Sequence, residues 1–504
     1  MITLHEVAAI RAAESAHGQE LDSGILMQRA AHGVSVAVIE LLSQVLGRVT
    51  GTRVVVLVGP GNNGGDALFA GAKLTRRGIR VIAVTATQQF HEAGAAALQA
   101  SGGLVLPWGQ EARDEMRSAD LVIDGLLGIG SRAELSQTIS EMVQATQNVH
   151  ALIVSVDVPT GVDADTGLVA SVAVAADVTV TFGGLKPGLV VAPGLEFAGT
   201  VRVIDIGITD ELEVLGGCLQ VDDVAYWVQE PHLSDHKYRR GVVGVIAGSP
   251  SYPGAAFLAI GAATVGDVGM VEYFDRGDGL AAQVIAANPP VVATIADPAT
   301  NTRVNAWVVG PGFTGADADH AALSAILRCA CPIVLDAGAL TLLAASRELQ
   351  DVVIKREFPT VVTPHEGEFA RLCDAQISVG RIAAAKALAT QLNVIVVLKG
   401  AGTVVADPEG SLYVDLVGTP ALATAGSGDV LAGLIGALLS GATARSEQAL
   451  SQAEVAEVAA AAVWLHSQAG RVASSSGFPV TATQIVAALP AAIAQVRRPT
   501  RLSL

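Results

Sequence analysis

Short runs of aliphatic and β-branched residues alternate with Ala/Leu-rich stretches along most of this chain. In the first part the apolar runs fall at 53–58, 80–85, 121–124, 152–157, 178–181 and 201–205. Later ones include 242–247, 306–309, 333–336, 360–363, 394–398 and 403–406. Most are apolar at nearly every position instead of every second one, so both of their faces must be covered. Strands of that kind, separated by helices, predict parallel sheets in three-layer α/β domains. The pattern weakens around 207–221. The predicted organisation is therefore two domains, residues 1–212 and 222–500, each with its own glycine loop after a strand.

Composition narrows the function classes. Of the 504 residues 51% are hydrophobic and 16% charged, which fits compact domains and excludes a disordered chain. A net charge of −17 argues against broad binding to nucleic acid or an anionic membrane. An anionic substrate must then be held by local sites. The four cysteines, Cys218, Cys329, Cys331 and Cys373, lack metal-ligand spacing, so reduced thiols and a cytoplasmic setting are expected. The first residues show no basic region before an apolar core, so no signal peptide is expected. Residues 241–266 carry no charge and are long enough to span a bilayer. However, Gly248-Ser249-Pro250-Ser251-Tyr252-Pro253-Gly254 breaks the run into strand, loop and helix.

The sharpest chemical signal is Ala425-Gly426-Ser427-Gly428-Asp429, followed by Leu431, Leu434, Ile435, Leu438 and Leu439 at helical spacing. Glycines at a helix N-terminus let a phosphate approach unpaired backbone N–H groups at the positive end of the helix dipole. A carboxylate there repels phosphate, unless it takes the proton of a hydroxyl that attacks phosphorus. The simpler alternative is an N-capped helix with a glycine turn.

In the first half the run 53–58 leads into Gly59-Pro60-Gly61-Asn62-Asn63-Gly64-Gly65-Asp66. Strand, glycine turn and helix make an anion or dinucleotide site, although the spacing is not G-x-G-x-x-G. Asp124 and Asp157 end two further strands, whose carboxyl ends converge on one crevice in an open parallel sheet. Asn63, Asp124 and Thr160 supply hard oxygen ligands suited to an alkali or alkaline-earth cation. A lone Asp at a strand end is more often a helix cap, but three such polar ends around one glycine loop favour a site.

GPGNNGGD, DGLLGIG and SVDVPTGVD resemble the epimerase domain of the NAD(P)H-hydrate repair enzymes, over nearly all of residues 1–210. The resemblance implies a Rossmann-like parallel sheet. It implies that Asn62, Asn63, Gly64, Gly65 and Asp66, then Gly128, Ile129, Gly130, Ser131, Arg132, Ala133 and Glu134, and Asp157 contact the hydrated dinucleotide. It also implies potassium at Asn63, Asp124 and Thr160. Asp157 is the candidate for proton transfer, with Lys186 behind it. The family usually has Gly where this chain has Ala67.

In the second half five segments follow one another: His236-Lys237-Tyr238-Arg239-Arg240-Gly241 before a strand with its 249–256 loop, Trp307-Val308-Val309-Gly310-Pro311-Gly312, Thr363-Pro364-His365-Glu366-Gly367-Glu368, Leu398-Lys399-Gly400-Ala401-Gly402-Thr403, and the AGSGD loop. Lys399 and Thr403 on a glycine turn can cradle nucleotide phosphates, and Glu368 can hold magnesium through water. His365 is as readily a structural histidine as a substrate contact. Residues 222–495 resemble the ADP- or ATP-dependent dehydratase domain of the same family. This implies a ribokinase-like sheet with flanking helices. It implies that Ala255, Gly312, His365 and Asp429 contact the substrate, and that Lys399, Gly400, Ala401, Gly402, Thr403 and Gly428 contact the adenine nucleotide. The family tends to carry Asp-Ala-Asp where this chain reads Asp336-Ala337-Gly338.

Together these features predict a bifunctional metabolite-repair enzyme. One domain epimerises the R and S hydrates of NADH and NADPH, and the other dehydrates the S form with ADP, giving AMP and phosphate. Asp157 and Asp429 are its catalytic carboxylates, potassium and magnesium its ions, and a symmetric homo-oligomer its expected assembly. Two alternatives stay open: an ATP-dependent kinase of a small alcohol or hydroxymethyl heterocycle, and a non-catalytic N-terminal binding module.

Overall fold

The computed structural model describes residues 1–129, 134–295, 298–373 and 376–497. Its contacts divide into two units, Thr3–Leu215 and the chain from Gly216 onward, with Met1–Ile2 belonging to the latter.

The first unit holds a seven-stranded sheet in the order Leu104–Pro107, Arg80–Thr85, Arg53–Val58, Leu121–Gly125, Leu152–Val156, Val178–Phe182, Thr200–Ile204. Every neighbouring pair is parallel. The strand Arg53–Val58 shows why its sequence is apolar throughout. Val54, Val56 and Val58 belong to the core on one face, and Val55 and Leu57 to the core on the other. The strand order runs outward in both directions from Arg53–Val58, so a crevice opens between its carboxyl end and that of Leu121–Gly125. The expected strand 152–157 stops at Val156, because Asp157 adopts φ +68°. Leu104–Pro107 is a strand that the apolar pattern did not mark.

The second unit is built around Val242–Ile246, flanked by Met270–Phe274 on one side and Ala306–Val309 on the other. Ile333–Leu335, Thr360–Val362 and Ile395–Leu398 continue the sheet in parallel. The expectation of a purely parallel sheet fails at the next strand. Val404–Ala406 pairs antiparallel with Ile395–Leu398, and Leu412–Val414 pairs antiparallel with it in turn. Only residues 399–403 separate the first two strands, too few for a crossover helix. The glycine turn is therefore a hairpin loop.

The uncharged stretch 241–266 becomes a strand and the helix Pro253–Val265, as its central break predicted. That helix packs on Ser427–Arg445 so closely that a Cβ on Gly433 would lie 2.0 Å from the Ala259 carbonyl oxygen. Ile25–Leu46 and Ser427–Arg445 are long and apolar enough to cross a membrane, and each supplies residues to its own unit's core.

Two candidate active sites

In the first unit the glycines of the turn permit a close backbone crossing. A Cβ on Gly59 would fall 1.6 Å from the Leu126 carbonyl oxygen, and one on Gly64 2.4 Å from the Gly59 oxygen. The helix Asn62–Thr75 begins at once and carries Asn63 and Asp66 to the carboxyl edge of the sheet. Ala67, where the family usually has Gly, is fully buried and packs against Gly125. A cavity of 400 Å³ opens there, lined by Asn62, Asn63, Asp66, Gly128, Ile129, Asp157 and Lys186, and by Arg11 and Glu14 from the N-terminal helix Val7–Ala16.

Asp157 is the centre of the hydrogen bonding. Lys186 Nζ, fully buried, donates to its Oδ1 at 2.7 Å, to Thr181 Oγ1 at 2.8 Å and to the Phe182 carbonyl at 2.8 Å. The Ile129 N–H donates to Asp157 Oδ2 at 3.0 Å. A buried ion pair of this kind stabilises little by itself, but losing one partner strands the other charge. Burial drives the Asp66 carboxyl well above the carboxylate range, and the charges of Asp157 and Glu14 add to it. Glu14 is raised by burial and by Asp157.

Asp124 is fully buried and accepts from Thr160 Oγ1 at 2.7 Å, the Thr160 N–H at 2.9 Å and Ser155 Oγ at 2.9 Å. Burial raises its pKa against those hydrogen bonds. Among the described residues no cationic side chain pairs with it, and both polar atoms of the Asn63 side chain are buried without a hydrogen-bond partner. A buried carboxylate bonded to Thr160 and an orphaned amide oxygen are ligand types that suit a monovalent cation. Gly130, Ser131, Arg132 and Ala133 lie outside the described residues. Glu134 is exposed and does not line the cavity. Glu14 escaped sequence reasoning, because one acid on an amphipathic helix looks like a solvated residue.

In the second unit, Gly426 (φ +86°) precedes the helix Ser427–Arg445, and Asp429 sits in its first turn. Lys399, from the hairpin loop, sends its ammonium to Asp336 Oδ1 at 2.8 Å and to within 3.8 Å of Glu368 Oε2. A Cβ on Gly428 would lie 3.3 Å from Lys399 Nζ, so the ammonium also abuts the AGSGD loop. Burial pushes the Asp429 carboxyl up, Asp336 and Glu368 push it further and Lys399 opposes them, which leaves it at about 7. A carboxylate poised there is a competent general base at neutral pH.

Asp336 accepts from Thr363 Oγ1 at 2.7 Å as well as from Lys399. Sequence reasoning noted Asp336 only for the change two residues later. Its place at a strand end, like that of Asp124, was the signal. Gly338 has no room for the family's carboxylate, because a Cβ there would come within 2.5 Å of the Phe313 Cβ. Gly312 (φ +72°) and Ala255 are neighbours, since a Cβ on Gly312 would sit 3.0 Å from the Ala255 Cβ. The ring of His365 caps the helix Glu366–Leu372, its Nδ1 accepting from the Gly367 N–H at 3.0 Å. Thr403 Oγ1 donates to the Gly400 carbonyl, while Gly400 and Ala401 are exposed and Gly402 is buried. Among the described residues no three His, Cys, Asp or Glu side chains group to hold a metal by themselves.

The fold defines a two-unit α/β protein with a candidate site of buried carboxylates in each unit. Residues 243–491 match the family profile described as NAD(P)H-hydrate dehydratase, and residues 23–188 the YjeF-related protein N-terminus. The chain is 41% identical over 448 residues to the bifunctional NAD(P)H-hydrate repair enzyme of Mycobacterium leprae, covering 88% of this chain and 90% of that protein. It is 31% identical over 404 residues to the Escherichia coli enzyme of the same name, covering 76% of each. A crystal structure of the ADP/ATP-dependent NAD(P)H-hydrate dehydratase from Bacillus subtilis, co-crystallised with ATP and Mg2+, aligns with 56% of this chain and 99% of that one. Its TM-score is 0.48 at 27% identity. This chain belongs to the bifunctional NAD(P)H-hydrate repair enzymes.

Proposed function

We propose that the first unit epimerises the hydrates of NADH and NADPH and that the second dehydrates the S epimer at the expense of ADP. The observation that carries the second activity is Asp429, a carboxyl held near pH 7 in the first turn of a glycine-led helix. Asp429 takes the proton of the hydrate's hydroxyl, and that oxygen attacks the terminal phosphoryl of ADP. The N–H groups of the helix terminus and the Lys399 ammonium would stabilise the charge that develops on the transferring group. The ring nitrogen then expels the oxygen as phosphate, a far better leaving group than hydroxide, and loss of a proton from the neighbouring ring carbon to solvent restores the reduced nicotinamide. Asp336 and Glu368 would hold magnesium, which would neutralise phosphate charge. ATP in place of ADP is the alternative co-substrate.

In the first unit Asp157 moves the proton that lets the hydroxyl-bearing carbon invert, with Lys186 fixing the carboxylate's position. Potassium at Asn63, Asp124 and Thr160 would supply positive charge beside the glycine turn. The pairing is chemically economical, since a stereospecific dehydratase consumes only one epimer. Among the described residues the four cysteines form no disulfide, which supports a reducing, cytoplasmic setting.

The test follows the reduced-nicotinamide absorbance with mixed NADH-hydrate epimers, ADP, magnesium and potassium. Full recovery, with AMP and phosphate released, is the expected result. No recovery with ADP or ATP defeats the proposal in favour of a small-alcohol kinase.

A further inference from the structure

Arg381 opens the helix Arg381–Leu392 and is 3% exposed, although no step of the chemistry above uses it. Its guanidinium donates to the carbonyls of Lys399 at 2.8 Å and Leu398 at 3.3 Å, and pairs with Glu366. It also occupies the space beside Gly400, where a Cβ would lie 2.5 Å from Nη2. Gly400 and Gly402 both have positive φ, +148° and +66°, so the turn relies on glycine and on external hydrogen bonds to keep its shape.

The orientation of the turn follows from the peptide plane. In a trans peptide the carbonyl and the next N–H point in opposite directions. Fixing the Lys399 carbonyl on the guanidinium therefore turns the Gly400 N–H away from Arg381. Among the described residues the N–H groups of Gly400 and Ala401 have no hydrogen-bond partner. Glu366 meanwhile is the first residue of the helix capped by His365, which also carries Glu368. One buried guanidinium thus joins the hairpin turn to the element that presents Glu368 to Lys399. An ammonium offers no rigid fork that spans two carbonyls and a carboxylate together.

We propose that Arg381 is a positioning residue that holds the Lys399-to-Gly402 turn in the shape that presents backbone N–H groups to a nucleoside diphosphate. This rests on the second unit's being the nucleotide site. ADP binding to the full-length protein, with magnesium, is measured by calorimetry for wild type, Arg381→Gln and Arg381→Lys. Steady-state dehydration and epimerisation are followed alongside. Arg381→Gln is expected to raise the ADP Kd at least tenfold and Arg381→Lys at least threefold. The KM for the hydrate and the epimerisation rate stay within twofold of wild type. Millimolar guanidinium partly restores ADP affinity to Arg381→Ala. Should Arg381→Gln fail to fold, the charge-retaining Arg381→Lys decides. An ADP Kd within twofold of wild type in a folded variant overturns the proposal, and so does an equal loss of ADP and hydrate affinity. A wild-type protein that binds no ADP defeats the nucleotide reading itself, and that is learned before any variant is made.

Discussion

At the scale of single residues, the two sites hold their carboxylates in opposite ways. Asp157 is pinned by a buried ammonium, whereas Asp429 lies among other carboxylates and carries a pKa of about 7. A general base must be deprotonated to act. Dehydration should therefore fall on the acid side of pH 7, as kcat/KM profiles on the pure S epimer would report. Lys399→Met removes the one cation that lowers the Asp429 pKa, so the acid limb should move to higher pH. Asp429→Ala should cost about 10²–10⁴-fold in dehydration and leave epimerisation intact. Stability should run against function here. The folded protein keeps a proton on Asp429 that the unfolded chain releases above its ordinary value of 3.8, so the destabilisation grows as pH rises to 7 and then levels off. Asp429→Asn should accordingly raise Tm at pH 8 and change it little at pH 4, as thermal unfolding at the two values would show.

At the scale of elements, the second site depends on how tightly Ser427–Arg445 seats against its neighbours. Gly433 brings this helix onto the Ala259 carbonyl, and Gly436 brings it within 2.1 Å, for a notional Cβ, of Val308 Cγ2. A methyl at 433 meets backbone and must push the helices apart, which shifts the first turn and Asp429 with it. Gly433→Ala should destabilise by about 1–3 kcal/mol, in the range of overpacked cores. Dehydration should drop while epimerisation holds, measurable by denaturant unfolding and the two separate assays. The hairpin loop shows the same dependence of site on element. Lys399 reaches the carboxylates because the chain doubles back into an antiparallel strand instead of crossing over.

At the scale of the whole molecule, the polar groups described for each candidate site all lie within one unit. Asp157→Asn should leave dehydration of the S epimer unchanged. With mixed epimers, rapid recovery of absorbance should then stop near half. Replacing potassium with a bulky organic cation should produce the same half-height plateau if Asn63, Asp124 and Thr160 hold the ion. Equal slowing of both activities by either change would contradict separate sites.

Much of this was legible in the chain. Apolar runs with no polar face can only be strands covered on both sides, and the runs 53–58, 80–85 and 306–309 fall as strands at those same residues. Glycine turns before a helix marked both candidate sites, and glycine allows backbone to approach as closely as Gly59 approaches Leu126. The tertiary structure alone decided what distant residues do to one another. Sequence spacing does not show that Lys399 reaches Asp336 across the sheet, that Lys186 is buried on Asp157, or that Glu14 enters the first cavity. It does not show that Arg381 grips a turn beginning 18 residues later, at Lys399. Local pattern encodes which face of an element is apolar. The partner of a buried charge, and hence its pKa, depends on which strand ends the fold brings together.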